Sequence, residues 1–423
     1  MQKECKRMKK VYFKTFGCRT NQFDTQVMMS KLKDFELTMN EDDADVIMVN
    51  SCTVTNGADS SVRAYINGRG RKNPKAKVIL AGCGSHSKGE SLFADKKVFG
   101  VIGHSEKEKI NEILKFDKPF YQIGDLKHID STIVEEFIGK SRAFIKIQEG
   151  CDFRCSYCII PSVRGDARSH KEEDILLQIE KLASNGFGEF ILTGTNVGSY
   201  GQDQNSSMAQ LLKKMSMIRG VRRIRIGSLE PIQIDDAFKE LLTEPWMAKH
   251  LHIALQHTSD KMLKLMNRRN EFHSDIKLLE EIASKGYAIG TDYIVGHPGE
   301  DDKEWEEAIS RVKQLPLTHV HAFSYSKRDN TPSALMRPEI NGTITKARHK
   351  ELTAIIKEKN LHFRREHALN LEVLIEQGKD KIYHGYDQYF NKIEVNCEED
   401  ISSEWITIIN ATVKGDKNVA IYQ

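Results

Sequence analysis

Short apolar runs set off by polar helical stretches dominate the first hundred residues: VYFKTF, ADVIMVN, AKVILAG and VFGVIG, between Val11 and about Gly103. Runs of this kind, buried on both faces and spaced by helices, predict a doubly wound parallel sheet. Residues 111–139 carry little periodicity and read as a crossover. A second series opens at Ala143: AFIKIQ, EFILTG, RRIRIGS, HLHIALQ, IGTDYIVG and HVHAFSY. Helical patterns such as EEDILLQIEKLASNG and DDKEWEEAISRVKQL separate them. Six βα units predict a partial (β/α)6 barrel that stops short of closure and is open to a bulky substrate. ITKARHKELTAIIKEKNLHFRREHA reads as one long basic helix leaving the barrel. Beyond about Leu371 the texture changes to short alternating strands, LEVLIEQ, YFNKIEVN, EWITIINATV and NVAIYQ. These fit a small antiparallel β-barrel or sheet, a module often used on RNA. The expected domains of this α/β chain are residues 9–125, 140–368 and 369–423.

Cysteine placement changes the picture most. Cys151, Cys155 and Cys158 form a C-x3-C-x2-C triplet directly after AFIKIQ. Three thiolates at that spacing can hold three irons of a cubane four-iron four-sulfur cluster and leave the fourth without a protein ligand. An open iron can bind a substrate or cofactor, as a catalytic zinc does with its free position. An electron carrier would supply a fourth Cys nearby, and a structural zinc site would want four ligands.

Each strand of the first domain also delivers one Cys from its carboxyl end. Cys18 follows VYFKTFG, Cys52 follows DVIMVNS and Cys83 follows KVILAG. Ligand crevices of open α/β sheets lie at that edge, so the three could converge on one cluster. Three unrelated buried thiols are the competing reading. Cys5 and Cys397 have no such setting and read as ordinary residues.

Composition narrows the class without choosing the chemistry. The 423 residues are 39% hydrophobic and 29% charged, as in a folded globular protein. A net charge of +3 permits polyanion binding but does not argue for it. No apolar run is long enough to span a bilayer, so no membrane partner is expected. The basic N-terminus lacks the apolar core of a secretory signal, and eight Cys are too sparse for a disulfide scaffold. A reducing cytoplasm is the expected compartment.

At this point the residues resemble a known family. GCDFRCSYC is similar to the radical S-adenosylmethionine (SAM) signature, and TFGCRTN, NSCTVT and LAGC resemble the three cluster segments of the methylthiotransferases. The likeness continues in order through LTGTNVGSYG, RIRIGSLEP, LHIALQHTSDKMLKLMNRR, TDYIVGHPGE and FSYSKRDNTP. The last segment is similar to the TRAM RNA-binding module. The resemblance implies an N-terminal methylthiotransferase domain, a radical SAM core and a small all-β TRAM-like domain. It implies two four-iron four-sulfur clusters, one on Cys151, Cys155 and Cys158 and one on Cys18, Cys52 and Cys83. At the first, one SAM would be cleaved to a 5′-deoxyadenosyl radical. The second would carry sulfur that another SAM methylates.

The same resemblance marks supporting residues. Tyr157 corresponds to an aromatic near the SAM adenine, or to simple packing. Thr193, Gly194 and Thr195 end the second barrel strand, where backbone receives the SAM amino group. Glu230, Gln256 and Asp292 lie at later strand ends, where barrel active sites are built; Asp292 reads equally as a structural cap. Gly290 to Gly296 corresponds to the segment along the adenine. Arg154 is open between steering an anion and facing solvent. Arg222, Arg223, Arg348, Lys350, Arg364 and Arg365 are candidates for tRNA phosphates, against the reading of a solvated charged face. His257, Thr258 and His297 depart from the family pattern. The C-terminal module carries about two acids for every lysine, so it would gain little from counterion release on RNA.

By resemblance, GCRTNQFDT and LTGTNVGSYG point to methylthiolation of N6-threonylcarbamoyladenosine beside the tRNA anticodon. The tRNA anticodon loop and an unidentified electron donor are the expected partners, with no role for DNA. N6-isopentenyladenosine in tRNA or an aspartate of a ribosomal protein are alternative acceptors. A non-catalytic iron–sulfur RNA-binding or electron-transfer protein is the reading from another class.

Overall fold

The computed structural model describes residues 7–422; Cys5 and Gln423 lie outside the described residues. Three sheet systems follow one another along the chain. The first comprises β1 (Lys10–Thr15), β2 (Glu36–Leu37), β3 (Val46–Ser51), β4 (Lys77–Gly82), β5 (Gly100–Ile102) and β6 (Phe120–Gln122), in the order β2-β1-β3-β4-β5-β6. All its pairings are parallel. Central β3 is buried at all six positions, which is why its sequence shows an unbroken apolar run. Strand β6 falls inside the expected crossover: two of its three residues are exposed, so no apolar run announces it.

The second system is the partial barrel. Its strands are β7 (Ala143–Lys146), then after the two-residue pair β8 (Gln148–Glu149) and β9 (Arg168–Ser169), β10 (Glu189–Thr193), β11 (Arg223–Ile226), β12 (Ser228–Leu229), β13 (His250–Ile253), β14 (Ala288–Val295) and β15 (His319–Ser324). All six strand segments expected from the sequence are present, RRIRIGS contributing both β11 and β12 on either side of Gly227. The pairings run β11-β10-β7 and β12-β13-β14-β15, parallel throughout. The long helix Gly342–Glu366 packs against β15 and leads out.

The third system holds β16 (Leu369–Lys379), β17 (Ile382–Tyr386), β18 (Lys392–Asn396), β19 (Trp405–Asn410), β20 (Thr412–Lys414) and β21 (Lys417–Ile421), in the order β19-β16-β17-β18-β21-β20. The pairing of β18 with β21 is parallel and the rest antiparallel, so the sheet is mixed where an antiparallel one was expected. Its core of Leu371, Val373, Ile375, Ile393 and Val395 is separate from the barrel core.

One helix ties the first two systems together. Helix α1 (Arg19–Ser30) turns Met28 toward its own sheet, while Phe23 and Val27 join the barrel core with Val134 and Phe137. Burying two large apolar side chains across that boundary contributes roughly 3–6 kcal/mol. It also fixes where the N-terminus of α1, and Cys18 before it, can sit. Among the described residues no helix is long and apolar enough to cross a membrane.

Candidate functional site

Two tight turns set the N-terminal thiols. Cys18 is the N-cap of α1 and follows Gly17, whose φ is 92°. A Cβ on Gly17 would stand 2.6 Å from Cys52 Cβ, so only glycine lets this turn press against Cys52. Gly82, at φ 83°, joins β4 to the helix α2 (Cys83–Ala94), and a Cβ there would lie 2.4 Å from Asn50 Oδ1. The three strands thus deliver Cys18, Cys52 and Cys83 to one edge, graded from exposed through half-buried to buried. Burial raises the Cys52 thiol and lifts Cys83 to about 12, with Cys18 adding to both.

The second trio lies on the loop between β8 and the helix Ile160–Arg164. Cys151 N–H donates to Gly165 O at 3.0 Å and Ser156 N–H to Met266 O at 2.9 Å, pinning the loop at both ends. Burial raises Cys151 and lifts Cys158 to about 12. Thiols held neutral in this way become ligands when a metal replaces their protons. Each trio offers three free thiols, the donor set of a four-iron four-sulfur group with one iron left open, so the residues present fit the expected clusters.

The supporting residues divide into three groups. Around the second trio stand half-buried Tyr157 and Glu230. Arg268 Nη1 donates to Glu230 Oε1 at 2.9 Å, its Nη2 meets Oε2, and Nη1 lies 3.7 Å from Cys155 Sγ. Asn196 Nδ2 lies 3.7 Å from Cys151 Sγ, while Asn196 Oδ1 and Thr195 Oγ1 are buried without a hydrogen-bond partner among the described residues. Orphaned buried acceptors beside a thiol mark room for a polar ligand. Arg268 and Asn196 were not singled out from the sequence, although both lie inside its quoted motifs.

A second group lines a cavity of about 670 Å³, where Thr193, Gly194 and Asp292 meet Cys18, Arg19, Arg225, Tyr386 and Phe390. Thr20 Oγ1 donates to Gly194 O at 3.3 Å, stitching α1 to the end of β10. Asp292 lies 3.0 Å from His252 Nε2 and 3.4 Å from His321 Nδ1. Burial would raise its carboxyl, but the two imidazoles outweigh that and lower it. Gln256 is held at φ 65°, its backbone bonded to Asp292 O and Ile294 N at 2.9 Å each. A non-glycine residue kept there stores strain typical of functional sites. Gly290 packs beside His250 and His252.

The third group is internal packing. A Cβ on Gly296 would come 2.3 Å from Thr345 Oγ1, so its glycine serves the long helix. His257 accepts from Ser259 N–H at 3.0 Å and faces Glu300 at 3.3 Å; Thr258 bonds Tyr293 and Ala308; His297 bonds Ser333. The departures from the family pattern are satisfied core residues. Arg154 pairs with Asp166 at the surface.

Three of the six phosphate candidates are corrected. Arg223 is buried with its Nε 3.0 Å from Glu189 Oε2 and its guanidinium over Trp405. Arg348 pairs with Glu300 and Asp302 at 2.8 and 2.6 Å. Arg364 bonds Asn360 Oδ1 at 2.7 Å and the carbonyl of Gly415. Buried and already paired, these side chains do not face a polyanion. Arg222 lies over Trp405 beside Glu372, while Lys350 and Arg365 are exposed.

One buried residue joins the two trios. Arg164, six positions after Cys158, donates from Nε to Cys83 Sγ at 3.1 Å and from Nη2 to Asn21 Oδ1 and Asp24 Oδ2 at 2.6 and 3.0 Å. Its Nη1 meets Glu149. Asp24 also takes Lys107 and Lys146 at 2.8 and 2.6 Å, and Asp130 shares both lysines. Periodicity could not reveal this network, since its members are scattered from residue 21 to 164.

Comparison with known proteins agrees with this geometry. Residues 145–312 match the radical SAM superfamily, and residues 10–103 match the family described as "Uncharacterized protein family UPF0004". A Helicobacter pylori (strain J99) protein, assigned by name to the methylthiotransferases, is 53% identical over 98% of this chain and 100% of its own. The Aquifex aeolicus threonylcarbamoyladenosine tRNA methylthiotransferase MtaB is 34% identical over 84% of this chain and 89% of its own. Among solved structures, the radical SAM methyltransferase TsrM from Kitasatospora setae shares the fold, with a TM-score of 0.56 and 13% identity over 78% of this chain and 77% of its own.

Proposed function

The chain belongs to the radical SAM methylthiotransferase family, and from that premise we propose that it methylthiolates carbon 2 of N6-threonylcarbamoyladenosine at position 37 of tRNA, with one SAM as methyl donor and another as radical source. The observation that carries the reading is shared access. Cys18, at the start of α1, and Thr193, Gly194 and Asp292 from the barrel line one cavity, which suits an acceptor that must meet the first trio beside the barrel strand ends. When bound, the two four-iron four-sulfur clusters and SAM supply one-electron bond cleavage and a sulfur to transfer.

The chain's own residues supply position. Cys151, Cys155 and Cys158 would hold one cluster, and Cys18, Cys52 and Cys83 the other. Thr193, Gly194 and Thr195 offer backbone and hydroxyl groups to the SAM amino acid end. Glu230, fixed by Arg268, offers a carboxylate of set orientation, and Tyr157 and Gln256 close the pocket beside it. Gly290 permits close approach of a ring. Arg222, Lys350 and Arg365 remain for the tRNA backbone. Residues 9–125, 140–368 and 369–423 would act as three units of one site, with electrons arriving from a separate donor in a reducing cytoplasm.

Nucleoside mass spectrometry of tRNA from a deletion strain tests the acceptor. The expected result is loss of 2-methylthio-N6-threonylcarbamoyladenosine, restored by the intact gene and not by Cys18→Ala. Undiminished amounts of that nucleoside would refute the assignment. Loss of the 2-methylthio-isopentenyl nucleoside, or a lighter ribosomal protein, would redirect it to the alternative acceptors.

A further inference from the structure

The seam between the barrel and the C-terminal sheet gathers four arginines, Arg19, Arg142, Arg223 and Arg225, around the buried carboxyl groups of Glu189 and Asp387 and the half-buried Glu376. Arg142, Arg223 and Arg225 crowd one buried carboxylate, Glu189, at 3.9, 3.0 and 2.7 Å. Arg142 has a second partner in Glu376 at 2.6 Å, and Arg225 spends its remaining donors on the carbonyls of Asp387 and Gln388. Arg142 Nη1 and Arg223 Nη2 are still buried without a hydrogen bond among the described residues. Arg19 is the fourth cation in this group. Among the described residues no carboxylate lies within ion-pair distance of it, and its recorded contact is the Phe390 ring at 5.4 Å.

Arg19 occupies a position that disfavours a cation on three counts. It is the first residue of α1, where the helix dipole is positive. Its guanidinium shares the Phe390 ring with those of Arg142 and Arg225. Its side chain is confined to the cavity that Cys18, Thr193 and Asp292 also line. With no carboxylate within ion-pair distance among the described residues, Arg19 keeps its donors for an anionic group that enters the cavity.

Phe390 forms the wall opposite. It sits at φ 65° in a turn closed by Asp387, whose carbonyl accepts from Phe390 N–H at 3.1 Å. That backbone turns its ring into the cavity, stacked on Tyr386 at 4.9 Å and ringed by Arg19, Arg142 and Arg225 within 5.2–5.8 Å. The C-terminal module therefore completes the cavity wall, a use that needs no basic face.

We propose that Arg19 is the specificity residue of the acceptor cavity, its guanidinium fork taking the carboxylate of an amino-acid-bearing adenosine while Phe390 closes the subsite. The inference rests on the acceptor reading above and names how that acceptor is told from an apolar one. A guanidinium matches a carboxylate bidentately, whereas an isopentenyl group would leave it desolvated and unpaired. A backbone phosphate offers the same anionic chemistry, and the experiment separates the two sources.

Three synthetic anticodon stem-loops would be prepared, identical except for the target: N6-threonylcarbamoyladenosine, its carboxamide, and N6-isopentenyladenosine. Dissociation constants from fluorescence anisotropy, with KM and kcat, would be measured anaerobically on the reconstituted full chain. The wild type is expected to bind the carboxylate RNA about ten- to a hundred-fold more tightly than the carboxamide. Arg19→Gln should erase that ratio through KM, and Arg19→Lys should keep part of it. A wild type indifferent to carboxylate against carboxamide overturns the proposal. So does an Arg19→Gln variant that weakens all three RNAs equally, which is the mark of a phosphate contact. Should Arg19→Gln lose its iron, the wild-type comparison decides alone. Product on the isopentenyl RNA only would sink the acceptor reading itself. Product on the threonylcarbamoyl RNA without discrimination would sink this inference alone.

Discussion

The barrel meets its two neighbours through seams built on opposite principles. Against the N-terminal sheet, Lys107, Lys146 and Arg164 face Asp24, Asp130 and Glu149, three cations against three anions, all buried. Against the C-terminal sheet, three arginines share Glu189, and a fourth beside them, Arg19, finds no carboxylate within ion-pair distance among the described residues. A balanced buried network is a rigid fixture: it orients Cys83 relative to the loop of Cys158 through Arg164. An unbalanced one is unfinished until a ligand supplies the charge. Charge accounting thus separates scaffold from receptor within one molecule.

The sharpest way to break the contrast is at the hub of the balanced seam. Asp24→Asn leaves three buried cations with one partner fewer, and should cost about 3–5 kcal/mol, seen as a lower urea midpoint. A change below ~1 kcal/mol would mean that the network adds nothing to the fold.

Acid probes the same seam more gently. Burial would raise Asp24, Asp130 and Glu149, but the facing lysines and Arg164 outweigh it and lower all three. Their folded pKa values lie below the unfolded ones, so the unfolded chain takes up protons first on acidification. Their stabilisation is full above about pH 4.5 and is lost as pH falls below about 4. His170 beside them is lowered to about 4, chiefly by burial. By the same sign rule it withdraws stability earlier, as pH falls from about 6.5 to 4. Urea midpoints should therefore decline in two stages, and a flat profile from pH 7 to 3 would contradict the assignment. Asp24→Asn should flatten the lower stage.

The smallest effect belongs to the unfinished seam. Arg19→Gln removes a cation from a cationic cluster and breaks no ion pair, so its urea midpoint should stay within about 0.5 kcal/mol of the wild type or rise. A loss comparable to that of Asp24→Asn would show that Arg19 has a structural partner after all.

Much of the fold could be read along the chain because the signals are local. Most parallel strands of the barrel announce themselves as buried apolar runs, β15 being half-exposed, and both cysteine trios follow strand ends. Strands β6 and β17 escaped because a short, half-exposed strand shows no such run. Two of the phosphate candidates, Arg348 and Arg364, failed for a related reason. A basic helix face reads the same whether Arg348 and Arg364 point to solvent or, as here, to Glu300, Asp302, Asn360 and Gly415.

Sequence by itself determined the chemistry: six thiols at spacings and strand ends that admit iron–sulfur clusters, carried on elements whose periodicity is set by short-range burial. Tertiary structure decided which charges are spent and which are free. Whether an arginine is scaffold or receptor depends on carboxylates tens to hundreds of residues away, as Glu189 is from Arg19 and Asp24 from Arg164. Glu189 reaches Arg142, Arg223 and Arg225 but not Arg19, and no local pattern encodes that, because Coulomb pairing acts through space and is settled only when the chain has folded.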